Sequence, residues 1–469
     1  MRVFIYLSAF ATVVGFFYSW RSPRRMLYLL FYFSLIEGAY INYFYPRQLP
    51  LVLKDILVLW SYGLLIAQGQ LRESFRRLGP PALPIAIFAA IYILHVFNPE
   101  LNSLLVGAVG LRVAIFYIPL TLVALIAFET EAQLWRFMRF CILLTIPVCA
   151  YGIYQYFGGG AHIAALGPGY VQRGVALLFG GGTSGHTFRT LATFTYSSSF
   201  SMFILLMVPL AWVSVGAQLH KRWREVAFAC VMLLFAAQIS SGGRQALIFT
   251  AMAMLLTELY EKRKLLTRIG APLAVGLGVI LGFFIFGQEK ISRYETILDV
   301  EQVKWRYETY FVNNNLLALE SSPLGNGSGS ASAAARHVAG ARFTQTETAF
   351  SKLAYEVGIP GLAAYLWMLI SVLLHARRAL RAVTASRLRM YGRGFMGIAI
   401  MTFLTSFNGW PLDVPPANAL FWVFAGMALL LPRLQERLWQ DEATAAALMV
   451  EAPLEAAEPD EAAPSPTRA

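Results

Sequence analysis

The stretch ISSGGRQALIF (239–249) decides how the chain is read. It joins two apolar runs, 226–241 and 245–260, each long enough to enter a bilayer. Two serines, two glycines and an arginine therefore stand where the chain turns between two membrane helices. Soluble domains avoid such long apolar runs and carry roughly a quarter of their residues as charges. This chain of 469 residues is 57% hydrophobic and 14% charged, with a mean hydropathy of +0.57.

Similar runs recur from end to end, at 3–20, 26–44, 51–69, 82–97, 110–128, 138–157, 198–218, 226–241, 245–260, 270–287, 352–374, 391–409 and 416–432. In lipid only helices and closed barrels satisfy the backbone, and these runs lack the polar–apolar alternation of barrel strands. The expected fold is an all-α polytopic membrane protein. Residues 1–440 form one transmembrane domain of 13 spans, or 12 with one run re-entrant. The run 3–20 lacks a small-residue cleavage site, so it is expected to stay as a span. The remainder, 441–469, ends in EAPLEAAEPDEAAPSPTRA, an acidic Ala/Pro-rich tail that cannot bury a core and is expected to be disordered.

The net charge of +12 does not point to nucleic acid. The basic residues cluster in short loops beside the apolar runs: RSPRR (21–25), QLRESFRR (70–77), WRFMR (135–139), HKRWR (220–224), EKRKLLTR (261–268) and HARRALRAVTASRLRMYGR (375–393). They occupy every second connection, so positive residues held inside place this set, and the C-terminus, in the cytoplasm. Cys141, Cys149 and Cys230 fall in or beside apolar runs without metal-ligand spacing and read as small core residues. There is no Asp-x-Asp and no His-rich spacing, so no metal and no cofactor is expected.

Three segments then share the outer face: the loops at about 158–197 and 288–351 and the turn SSGGR (240–244). Against the charge trend they hold Arg173, Arg189, Arg244, Arg293, Arg306, Arg336 and Arg342. Most suit lipid-phosphate anchoring or solvated loop charge. Arg244 combines a helix start, with its unpaired N–H groups and positive dipole end, with two preceding glycines, Gly242 and Gly243, that let backbone approach a ligand. That combination suits a phosphate or pyrophosphate, while snorkelling to the interface explains the arginine alone. The segment 300–332 reads as helical to about Glu320 and is then broken by Pro323 and glycines, with Arg306 in its helical part. Glu347, where the chain re-enters the membrane, is a carboxylate base facing the arginines or a plain helix-start charge. Glu356 lies deeper and needs a partner, which suggests a structural role. His337 is an alternative base or a solvated loop histidine.

The order of these features resembles the O-antigen ligase and O-antigen polymerase superfamily. FRTLATFTYSSSFSMFILLMVPLAW (188–212), SSGGRQAL (240–247), KWRYETYFVNNNLLALESSPLGNGSGS (304–330) and TETAFSKLAYEVGIPGL (346–362) carry the resemblance, over about 110–430. Where the ligases have His-Asn, this chain has Glu347-Thr348, which is more similar to repeat-unit polymerases. The resemblance implies a glycosyltransferase-C-like architecture in a bacterial inner membrane. It also implies metal-independent transfer from a polyprenyl pyrophosphate-linked oligosaccharide to a glycan acceptor, either another lipid-linked repeat unit or lipid A–core. Membrane lipids and other polysaccharide-assembly proteins are the implied partners. In that scheme Arg244 and Arg306, with Arg189, bind and neutralise pyrophosphate and Glu347 serves the acceptor hydroxyl. Three rivals stay open: a ligase joining finished glycan to lipid A–core or protein, a transporter or flippase of lipid-linked sugar, and a structural partner of a synthase. A transporter would carry ionisable residues near the midplane and internal repeats; Lys54 and Asp55 are adjacent but near a span end, and no repeat is seen.

Overall fold

The computed structural model describes residues 2–45, 49–171, 189–216, 220–259, 270–287, 294, 300–338, 344 and 346–451. Among the described residues there is no strand. The helices are α1 (Arg2–Ser19), α2 (Pro23–Tyr43), α3 (Leu49–Ala67), α4 (Leu71–Leu78), α5 (Ala82–Leu94), α6 (Leu104–Ala114), α7 (Leu120–Ala127), α8 (Glu131–Ala164) and α9 (Ser197–Val215). They continue with α10 (Lys221–Ser241), α11 (Arg244–Leu259), α12 (Gly270–Phe286), α13 (Val300–Arg306), α14 (Asn314–Ser321), α15 (Ala349–Ala382), α16 (Ser386–Thr405) and α17 (Ala417–Glu451). Every apolar run of the sequence becomes helix. The run 110–128 is divided between α6 and α7, with Pro119 at the start of the second.

The protein is a multi-pass membrane protein by helix length and hydropathy. Among the described residues α1, α8, α9, α10, α15 and α17 are long and apolar enough to cross a membrane. A seventh span results if α3 and α4, bent by 101°, count as one. This is fewer than the 12–13 runs suggest, for two reasons. Helices α5, α6, α11 and α12 are short, at 13, 11, 16 and 17 residues. Others carry polar residues inside them: Glu37 and Asn42 in α2, and Arg387, Arg389 and Arg393 in α16. Helix α17 also runs through Glu451, past residue 440 where the tail was expected to begin. The Ala-rich stretch DEATAAALMV (441–450) favours helix, and 452–469 lie outside the described residues.

The described basic connections gather at one end of the bundle, and 261–268 lie outside the described residues. Gln68 donates to the carbonyl of Arg21 at 3.0 Å, Trp135 packs edge-on against Trp223, and the Arg139 guanidinium lies over Trp223. Arg387 reaches Glu131, and Arg437 donates to the Glu129 carbonyl. The loops assigned to the outer face gather at the other end. Asn42 donates to the Phe194 carbonyl, Thr190 to Ser240, and Ser328 to His95.

Two breaks shape that second end. In the first, residues 189–196 run without regular structure, yet Thr190, Leu191, Ala192 and Phe194 are buried. Their backbone groups cannot reach water, so side chains serve them. Gln155 donates to the Ala192 carbonyl at 2.8 Å and accepts from the Leu191 N–H. Helix α2 comes close enough that a Cβ on Gly38 would lie 2.3 Å from the Phe194 backbone.

The second break is in α15, where Gly358 has φ 63°. The carbonyls of Tyr355 and Glu356 accept from the Asn326 and Gly327 N–H groups at 2.8 and 2.9 Å, and Ile359 N–H donates to Pro323. The segment 323–332 is thus seated in the broken helix and against α5 and α6. His95 joins it by a ring contact to the Leu324 carbonyl at 2.7 Å.

Gly358→Ala should lower stability by about 2–4 kcal/mol. It combines a left-handed backbone with a Cβ 2.3 Å from the Pro323 carbonyl oxygen. Gly63→Ala, in a helix with open space around it, should change little; thermal unfolding in detergent measures both. The orientation is checked by cysteine labelling, since the three native cysteines are buried. A cysteine at Asn408 should react with an impermeant maleimide outside intact cells, and one at Arg21 only after lysis.

Candidate functional site

The site is built on the turn between α10 and α11. Gly242 ends α10 in the left-handed conformation, φ 68°, with its N–H donating to Ile239. An L-residue there would be strained, so the glycine permits the sharp reversal that starts α11 at Arg244. Gly243 also has a packing reason to lack a side chain. A Cβ on it would meet the Ser201 hydroxyl at 2.8 Å and the Gln238 amide nitrogen at 3.3 Å, so its missing side chain first admits α9 and α10.

Beneath the turn lies a buried polar cluster. The Ser201 and Ser241 hydroxyls are 2.8 Å apart, and the Gln238 amide donates to both. Thr190 and Ser240 pair at 2.8 Å. Tyr294, from the stretch that precedes α13, donates to the carbonyls of Gln238 and Ile239. The Arg189 Nε donates to the Ser241 carbonyl at 3.1 Å. A cation at this helix C-terminus also complements its dipole.

These elements enclose a pocket of about 290 Å³ at the outer-loop end. Arg189, Gly242, Gly243 and Arg244 line one side; Ser198 and Ser201 of α9 line another. The end of α16 and the following loop close it with Thr405, Asn408 and Gly409. The first turns of α9 and α11 both border the space, and each brings the unpaired N–H groups of a helix start. Two guanidinium groups, hydroxyls and two helix N-termini make this a pocket suited to a phosphate-sized anion.

Of the expected site residues, the structure therefore brings together Arg189, Gly242, Gly243 and Arg244. Arg306 is the last residue of α13, and its side chain lies outside what the structure describes, as do those of Arg336 and His337. Arg173, Arg293 and Arg342 also lie outside the described residues. Glu347 is exposed and stands one residue before the cap of α15. The helix start is satisfied by Thr348 and Ser351, which exchange backbone and hydroxyl hydrogen bonds. The Ala349 N–H donates to the Gly409 carbonyl at 2.9 Å, so the start of α15, two residues after Glu347, is tied to the pocket's Gly409 edge. Its side chain is not among those lining the pocket.

Glu356 has the partners its depth demanded. It is buried, accepts from Tyr92 and, at 3.1 Å, from both the Ala331 N–H and the Ser332 hydroxyl. Two charged residues beside it escaped sequence reasoning. Lys352, 2% exposed, donates to Asp413 and lies 3.9 Å from Glu356. Lys352 begins an apolar run and Asp413 lies within a Pro-rich loop, so each looked like a boundary charge. Asn408 and Gly409 were absorbed into the run 391–409, although the turn chemistry of SFNGW (406–410) is a usable signal for leaving the helix. Lys54 and Asp55 are likewise paired within the bundle. Lys54 contacts Glu37 at 2.9 Å without hydrogen-bond geometry, and Asp55 accepts from Arg112 and Tyr117.

A comparison with protein-family models finds none that matches this chain, and a comparison with curated proteins likewise finds no match.

Lys352→Met should destabilise the protein by about 3–5 kcal/mol, because Asp413 and Glu356 then keep charges without their cation. Adding Asp413→Leu should recover part of that loss. Thermal denaturation of the purified variants in one detergent measures both.

Proposed function

We propose that this chain is a membrane glycosyltransferase. It would transfer a glycan from a polyprenyl pyrophosphate carrier to a hydroxyl of another lipid-linked repeat unit. The observation that carries the reading is the pocket at the outer-loop end, where Arg189 and Arg244 meet two helix N-termini. Such a pocket suits a pyrophosphate, and the resemblance of 110–430 to O-antigen polymerases and ligases supplies the reaction class. On this reading the protein lies in a bacterial inner membrane with 12–13 spans in a glycosyltransferase-C-like arrangement, and the pocket faces the periplasm.

In the proposed reaction the acceptor hydroxyl oxygen bonds to the anomeric carbon of the donor. The bond from that carbon to the pyrophosphate oxygen breaks, and the electron pair leaves with pyrophosphate. Arg244 and Arg189 hold this growing charge, and the family resemblance adds Arg306 to them. The hydroxyl proton passes to Glu347, whose chain segment abuts the Gly409 edge of the pocket. Fixed donors aimed at charge that develops in the transition state commonly contribute about 10²–10³-fold each.

The ligase reading shares donor, pocket and arginines and differs in acceptor. Glu347 in place of the ligases' histidine favours the polymerase. The transporter reading draws on Glu37, Lys54, Asp55 and Arg112, but those charges are matched in pairs, as structural ions are.

Purified protein given synthetic polyprenyl pyrophosphate-linked repeat units should lengthen the glycan and release the pyrophosphate carrier. Arg244→Ala should lower the rate about 10²–10³-fold, and Arg306→Ala and Glu347→Gln should each be severely impaired. All variants should remain folded by size-exclusion chromatography. Unchanged rates in the three variants overturn the site; elongation only onto lipid A–core makes the protein a ligase; carrier movement without glycan transfer makes it a transporter.

A further inference from the structure

The opposite, basic end of the bundle carries a second cavity, independent of the reaction proposed above. It has a volume of about 600 Å³ and lies between α1, α2 and α8. Arg24, Arg25 and Arg136 line its mouth with Gln133 and Tyr28, and no carboxylate lines it. Among the described residues none of the three arginines forms an ion pair. Arg25 is fixed by a hydrogen bond to the Tyr18 carbonyl and by stacking over the Tyr18 ring at 4.2 Å. Arg24 and Arg25 stand in the first turn of α2, just after the Ser22 cap, where the helix dipole disfavours cations. Like charges gathered against a dipole around one cavity call for an anion.

The cavity continues toward the membrane interior. A second space of about 460 Å³ shares Tyr32 with it and is lined by Leu35, Ile36, Leu144, Pro147 and Val148 among others. On α2 the lining residues from Arg25 to Ala39 recur every three or four positions, and those on α8 from Arg136 to Tyr151 do the same. Each set is one helix face, so the two faces bound a continuous groove of about 21 Å at 1.5 Å per residue. Cations at the mouth and an apolar trough behind them match a phosphate with an attached acyl chain, which a free phosphate would not fill.

We infer that this groove binds an anionic phospholipid, its phosphate on Arg24, Arg25 and Arg136 and an acyl chain along α2 and α8. Native mass spectrometry of the purified full-length protein, with phosphatidylglycerol or phosphatidylcholine added, tests this. The protein should retain one phosphatidylglycerol in preference to phosphatidylcholine. Arg24→Gln and Arg136→Gln should each weaken retention about fivefold, the scale of one basic residue at a lipid surface. Ala11→Trp, which fills the cavity while keeping the arginines, should also abolish it. Arg21→Gln, which removes an arginine that does not line the cavity, should change nothing. Equal retention of the two lipids, an equal loss in Arg21→Gln, unchanged retention in Ala11→Trp, or full displacement by inorganic phosphate would each overturn the inference. Matching melting temperatures of the variants separate loss of the site from loss of the fold.

Discussion

Backbone polar groups away from water must find partners inside the protein, and this constraint organises the outer-loop end of the molecule. The segment 189–196 leaves helical geometry within the packed bundle. It persists because Asn42 of α2 and Gln155 of α8 present amides to its backbone, and Thr193 donates to the Leu35 carbonyl. Remove those partners and the cheapest alternative is more helix, which would carry Arg189 away from the α10–α11 turn. The pocket is therefore a product of an irregular segment held in place by buried amides on two other helices.

The break at Gly358 solves the same problem from the opposite side. A continuous α15 would satisfy its own carbonyls and leave 323–332 without a seat. Once broken, it offers the Tyr355 and Glu356 carbonyls to that segment, and the Glu356 carboxylate holds it through Ala331 and Ser332. The N-terminal end of the same helix is tied to Gly409, which borders the pocket. One helix thus anchors the segment 323–332 at its break and the Gly409 edge of the pocket at its start.

How much of this was legible follows from the range of each interaction. Hydrophobic runs show directly, because a helix facing lipid needs apolar residues over its own length; each of the thirteen runs is largely helical in its described residues. Which of them suffices to span is less plain, since length and internal charges decide it, as in α11 and α16. The Gly242–Arg244 turn was readable because its chemistry is local: a left-handed glycine and a helix start within three residues. That Arg189 joins it depends on the fold of 189–196, which only the family resemblance hinted at. Lys352 and Asp413 are 61 residues apart, and neither has a local pattern that names the other. That the missing Gly243 side chain also makes room for Ser201 of α9 depends on a distant helix, which no nearby sequence reveals.

The distribution of charge separates buried ion pairs from the arginines that line the two cavities. Lys54 and Lys352 are buried within the bundle, and each sits against a carboxylate, Glu37 or Asp413. In a low-dielectric interior an unmatched ion costs several kcal/mol, so pairing there is a condition of folding. At the basic end the penalty falls, and Arg24, Arg25 and Arg136 line a cavity that contains no carboxylate. The lining of the outer pocket also contains two arginines and no acid. Both linings are thus cationic, one backed by an apolar groove and one by hydroxyls and helix starts. The groove's depth favours a molecule that remains in the membrane, whereas the polar walls around Arg189 and Arg244 favour a charged group presented at its surface.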